Sequence, residues 1–136
     1  MISRELDTSL SDAAAMEDCL RCSLACQLAC IAYVDERLKN LPNEPVAGVI
    51  RACLGCLDAC MLLGSTSVLN RATSSQLVPY LLNCIDACAT CEAECREVDR
   101  GDLLVRRCGI ACKELRERCK RLVEQKRLAS SSADSV

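Results

Sequence analysis

Cysteine recurs at helical spacing through this 136-residue chain, fourteen times in all. Cys19, Cys22, Cys26 and Cys30 follow one another at steps of 3, 4 and 4. Cys53, Cys56 and Cys60 are spaced 3 and 4 apart, and Cys84, Cys88, Cys91 and Cys95 are spaced 4, 3 and 4. Cys108, Cys112 and Cys119 complete the set at 4 and 7. Such steps keep residues on one face of an α-helix. At about 100° per residue, each set falls inside an arc of less than roughly 90°. On a heptad frame thirteen of the fourteen take a or d positions, and Cys30 stands outside it. The pattern predicts four helices whose inward seams carry Cys where a bundle ordinarily carries Leu.

The remaining core candidates are few. Phe, Trp and His are absent, and Tyr33 and Tyr80 are the sole aromatics. Without His, enzymes built on a His base, His-ligated haem and Cys₂His₂ zinc are excluded. Val46, Val49, Val98 and Val105 fall on seam positions near one end of the expected bundle. Leu63, Leu77, Leu81 and Leu122 fall near the other, and Leu115 interrupts the fourth seam. Two stripes of small residues, Ala25/Ala29/Ala32 and Ala52/Gly55/Ala59, predict close approach of the first two helices. Leu20, Leu24 and Ile31 form an apolar stripe off the Cys seam, a candidate oligomer interface.

Breakers set the boundaries. Pro42 and Pro45 mark a turn over 40–45, since a helix interior does not accommodate them. Gly64-Ser65-Thr66-Ser67 and Thr73-Ser74-Ser75 bracket a second connection, and Asp99–Asp102 forms a third, with Gly101 suited to a left-handed cap. The segments between, near 10–39, 45–63, 75–98 and 102–127, are rich in helix formers. Pro79 predicts an irregular first turn for the third. Short connections make neighbours antiparallel, so the expected fold is all-α: an antiparallel up-down-up-down four-helix bundle with a Cys-lined core over 1–127. Residues 128–136 read as a polar disordered tail.

The N-terminal residues show no apolar run of signal-peptide type, and no stretch approaches 18 uncharged apolar residues. The expectation is a cytoplasmic protein without a membrane partner. Formal charge is −2, and the basic residues of the last segment scatter around its helix with Glu between them, which gives no nucleic-acid bias. Disulfides are rare in a reducing compartment. Helical i, i+4 Cβ atoms, about 5–6 Å apart, are also too distant for an unstrained bridge.

A soft metal therefore explains the thiols better than crosslinks do. Zinc in Cys₄ sites would carry a net −2 at each ion, with no Lys or Arg on the Cys arcs to offset it. Iron–sulfur clusters favour a compact Cys run and loop N–H donors, both lacking here. Cu(I) accepts two or three sulfurs, and thiolates that bridge ions approach one Cu⁺ per S⁻, a neutral array fit for burial. Many ions per chain follow, with a ceiling on the order of 14 by ligand counting. Met16 and Met61, near one end, are candidate thioether ligands for loading. The alternatives are a zinc or mixed-metal thiolate buffer, and a redox-sensing or structural helical module. None of these readings is enzymatic.

Over about residues 15–125 the chain resembles the bacterial copper storage proteins, a family of cysteine-rich four-helix bundles. The resemblance is densest in CIDACATCEAEC at 84–95 and CGIAC at 108–112. It implies a bundle that loads many Cu(I) ions along its interior, a homotetramer, and membership of the cytosolic branch. Two departures stand out. The family commonly places His near the bundle mouth, and it would carry a further Cys where Leu115 stands.

Overall fold

The computed structural model describes residues 2–39, 47–69, 74–98 and 101–134. Its helices are α1 (Ile2–Lys39), α2 (Ala47–Leu69), α3 (Val78–Val98) and α4 (Leu103–Asp134), with a 3₁₀ turn at Ser74–Leu77 leading into α3. Each helix packs against its chain neighbours, and α4 closes the ring on α1. The expected four-helix bundle is the observed fold. The Pro42–Pro45 turn, Val46, Thr73, Asp99 and Arg100 lie outside the described residues.

Local chemistry explains the ends. Pro79 sits in the first turn of α3, where its missing N–H costs no helical hydrogen bond. Gly101 has φ 86°, a conformation that a side chain disfavours. Asp102 then caps α4: its Oδ1 accepts from the Leu104 N–H at 2.9 Å, and its carbonyl accepts from Arg106 at 3.1 Å.

Three boundaries run past the expectation. Between Ile2 and Leu10 there is no Gly or Pro, and α1 begins at Ile2. Helix α2 continues through Gly64-Ser65-Thr66-Ser67 instead of breaking there. Ser67 Oγ donates to the Leu63 carbonyl at 2.7 Å, and the Leu63 side chain is fully buried, so packing holds a segment of poor propensity helical. Helix α4 extends to Asp134, through the segment read as a tail, since no Gly or Pro follows Gly109 to stop it.

The small-residue stripes do not meet as expected. Ala25 and Ala32 are exposed and Ala29 is only partly buried, because their stripe lies about 100° round α1 from the Cys seam, which is the face turned inward. Ala52 and Ala59 are buried, but against α3: Cys84 Sγ donates to the Ala59 carbonyl at 3.3 Å, and Cys56 Sγ to the Ala87 carbonyl at 3.3 Å. The close approach is therefore between α2 and α3.

Charged residues lie outside this core. Arg116 Nε pairs with Glu92 at 2.9 Å across α3 and α4, as the complementary charges of those segments suggest. Arg118 Nε pairs with Asp18 of α1 at 2.7 Å, a partner the sequence reading did not anticipate. The segment Ala47–Ser67 is long and apolar enough by composition to cross a bilayer, although it carries Arg51 and Asp58. In this fold its Cys face packs inside the bundle.

Gly101→Ala should destabilise the metal-free protein by about 1–2 kcal/mol, because a Cβ disfavours the left-handed conformation. Chemical denaturation of reduced protein measures it, and an unchanged midpoint would show that the turn relaxes freely.

Candidate metal centre

Thirteen of the fourteen cysteines are buried, all as free thiols, and Cys22 alone is partly exposed. This corrects the heptad assignment, which set Cys30 apart. Cys30 is fully buried. In a straight α-helix eleven residues make almost three whole turns, so Cys30 returns to within about 20° of Cys19. Cys22 lies about 60° from Cys19 on the same wheel and falls at the edge of the seam.

Sulfurs of α1 and α4 pair in strict antiparallel register. Cys19–Cys119, Cys26–Cys112 and Cys30–Cys108 each have Sγ···Sγ of 3.7 Å. The same column takes in α2 and α3. Cys53 lies 3.5 Å from Cys108 and 3.7 Å from Cys91, Cys91 lies 3.9 Å from Cys108, and Cys56 lies 3.9 Å from Cys112.

Three quartets arise, each with one cysteine from each helix: Cys26/Cys56/Cys88/Cys112, Cys30/Cys56/Cys91/Cys112 and Cys30/Cys53/Cys91/Cys108. Within a quartet all sulfurs lie within 4.8 Å of one another. The first and second share Cys56 and Cys112, and the second and third share Cys30 and Cys91. They form a ladder along the bundle axis rather than separate sites. For metal–sulfur bonds of about 2.3 Å, the sulfurs of one ion sit roughly 3.8–4.6 Å apart, depending on whether two, three or four bind it. The observed contacts are close to that range, so small movements would admit ions between thiolates.

Burial opposes ionisation of thiols in this column such as Cys30, Cys95 and Cys112, and contact between thiols redistributes the protons. Contact with Cys108, reinforced by burial, pushes Cys95 and Cys112 well above the ordinary thiol value. Contact with Cys112 holds Cys26 below it. Cys84 is lowered to about 4 by hydrogen bonding with Cys119. A thiol that keeps its proton thus sits beside one poised to lose it. A soft cation that displaces the protons replaces this arrangement with metal–sulfur bonds.

The other expected positions divide. Cys19, Cys60, Cys84 and Cys119 extend the buried set toward the α1 N-terminal side, and Cys95 extends it toward the other end. Leu115 is fully buried and fills the gap in the α4 seam. Met16 packs against the core, but Met61 is 59% exposed, turned off the Cys face. The two thioethers therefore do not both face the column.

Three residues on the seam were missed by sequence reading. Ser23 is buried, and its Oγ accepts from Gln27 at 3.4 Å. Contact with Cys26 pushes the Cys60 thiol up, while the Ser23 hydroxyl pulls it the other way. Tyr33 is fully buried, and the Arg37 guanidinium lies 5.4 Å from its ring centroid. A signal for the latter pair existed: Cys26, Cys30, Tyr33 and Arg37 continue the seam at steps of 4, 3 and 4.

A helical bundle with a continuous column of buried free thiols defines a class, that of proteins able to hold soft metal ions inside a four-helix core. A family model described as copper storage protein matches residues 12–124, and the chain belongs to that family. No curated protein and no solved structure matches it.

Under native, reducing and anaerobic conditions one thiol per chain should be alkylated ahead of the rest, and Cys22→Ser should abolish that fast phase. Desolvation, with Asp18 next, pushes the Cys22 thiol above its ordinary value of 9.0. Its rate should therefore still be climbing with pH as that value is passed, because the thiolate is the nucleophile. Uniform reaction of all thiols would contradict the buried column.

Proposed function

We propose that this protein stores Cu(I) in the cytoplasm by coordinating many ions with its core thiolates, and that it is not an enzyme. The observation that carries the reading is the shared-edge ladder of quartets. Sulfurs common to two quartets are placed to bridge ions, and bridging thiolates suit a soft d¹⁰ cation. Charge supports the same choice. Three Zn²⁺ ions in the three quartets would meet eight thiolates, leaving the buried array two charges negative. One Cu⁺ per thiolate leaves it neutral, which burial strongly favours.

In this reading Cys19, Cys22, Cys26, Cys30, Cys53, Cys56, Cys60, Cys84, Cys88, Cys91, Cys95, Cys108, Cys112 and Cys119 are the ligands. Each loses its proton as Cu⁺ binds, so loading releases protons and weakens as pH falls. Met16, at the α1 N-terminal side of the column, offers a thioether at the end where ions would be exchanged. Met61 joins it only by turning inward. The assembly is a homotetramer in this reading. Leu24, Leu28 and Ile31, 56%, 60% and 50% exposed, form an uncharged face of α1 available for a second copy.

Anaerobic titration of reduced protein against a competing chelator tests the reading. The expected endpoint approaches one Cu(I) per Cys, with one proton released per thiolate engaged. Saturation with three or four Zn(II) and weak copper uptake would establish a zinc buffer instead. Cys56→Ser with Cys112→Ser removes a shared edge and should lower copper capacity by about two ions or more. Cys22→Ser should cost about one at most. Leu28→Glu should shift a tetramer toward smaller species in sedimentation, and no shift would place the interface elsewhere.

A further inference from the structure

A surface groove between α3 and α4 reaches the thiol column from the side. Its volume is ≈ 200 Å³, and Cys95 is part of its lining. Cys95 is buried but keeps 2% of its surface accessible, the largest share among the thirteen buried cysteines. Two further grooves, one between α2 and α3 around Arg51 and Glu94 and one on α3 and α4 around Leu82 and Lys120, are lined without cysteine. The opening at Cys95 owes its width to Gly109 of α4. A Cβ at this position would lie 3.5 Å from the Cys95 Cβ, an ordinary contact, and the backbone there is helical. Neither packing nor conformation thus demands glycine, although glycine weakens a helix interior. What the missing side chain leaves is open space beside Cys95.

The charges at this groove are mostly positive. Arg96, Arg106 and Lys113 line it and are exposed. Glu92 lines it too, and its carboxylate is engaged by Arg116 at 2.9 Å and by Arg96 at 3.4 Å. Three cations to one anion draw negative ligands, on a chain whose formal charge is −2. The groove is smaller than the roughly 300–1,000 Å³ of sites that enclose a drug-sized ligand, so it takes only the head of a small molecule. A soft ion in a reducing medium travels bound to soft ligands. The occupant that meets these demands is a Cu(I) complex of a small thiol that bears carboxylates.

We infer that this groove is a lateral port, where an anionic low-molecular-weight Cu(I)–thiolate complex docks and passes its ion to Cys95. This deepens the copper-storage reading and rests on it. The exchange involves no change of oxidation state. The Cys95 sulfur bonds Cu⁺ as the carrier's sulfur leaves, and the departing thiolate takes the proton that Cys95 gives up. Cys91, one helical turn before Cys95, and Cys108, next to Gly109, are fully buried. Their sulfurs lie 3.9 Å apart and form one quartet with Cys30 and Cys53. An ion held at Cys95 thus has ligands of the column within a turn of helix. The port opens toward the end of the column away from Met16, so ions gained there need not cross its whole length.

Anaerobic stopped-flow mixing of the reduced protein with preformed Cu(I) complexes tests the port. The glutathione complex serves as the anionic carrier and the cysteamine complex as the cationic one. Lys113→Glu should lower the ratio of the two loading rates, glutathione over cysteamine, on the order of threefold to tenfold. Added salt should shrink that effect. Gly109→Leu, which fills the groove, should slow loading from both carriers and leave the final copper load unchanged. Gly109→Ala should slow it less while raising the metal-free melting temperature, because Ala favours the helix. An unchanged rate ratio in Lys113→Glu, or loading of Gly109→Leu as fast as the parent, at a normal final load, overturns the port alone. Failure of the unmodified protein to take up Cu(I) from either carrier overturns the storage reading and the port together.

Discussion

A neutral thiol can be buried like a small apolar side chain, but a thiolate cannot be left alone in the same place. The core of this bundle is organised around that difference. Its sulfurs touch across all four helices, at 3.5 to 3.9 Å, in one continuous column. Protonated, they pack as a weakly hydrogen-bonded seam. Deprotonated, they require a cation for each charge, and only a soft monovalent ion neutralises a shared set one for one. The same geometry thus suits buried thiols and, in the proposed reading, metal-bound thiolates.

The two ends of the column differ. Toward the α1 N-terminal side, Leu63, Leu77, Leu81 and Leu122 supply ordinary apolar packing around Cys19, Cys84 and Cys119. Toward the α1 C-terminal side the buried core includes Val49, Val105 and the Tyr33 phenol, and a guanidinium and a carboxylate follow. Apolar burial at one end contributes stability that does not depend on metal. Polar groups are held in place at the other. The bundle is therefore polarised along its axis, and ions at its two ends would meet different surroundings.

Much of this was legible in the residues. Spacings of 3, 4 and 7 placed the cysteines inside, and Pro79 and Gly101 marked the start of α3 and the turn before α4. Where reading failed, packing had overruled a local rule. Gly64-Ser65-Thr66-Ser67 looked like a break, yet burial of Leu63 and the Ser67 hydrogen bond carry the helix onward. The heptad frame set Cys30 apart because it presumes a supercoil, whereas eleven residues of straight helix bring Cys30 back over Cys19. The alanines of α1 and α2 suggested a close helix pair, but small residues only permit approach. The direction of the sulfur seam decided which helix approached.

By itself the sequence determined the helices, the inward direction of the thiols and their softness toward metals, since periodicity and side-chain chemistry are local properties. The tertiary structure decided which sulfurs meet. Register between antiparallel helices is a relation among four segments, and no spacing within one segment contains it. Only that register brings Cys30, Cys56, Cys91 and Cys112 together and links three quartets through shared edges.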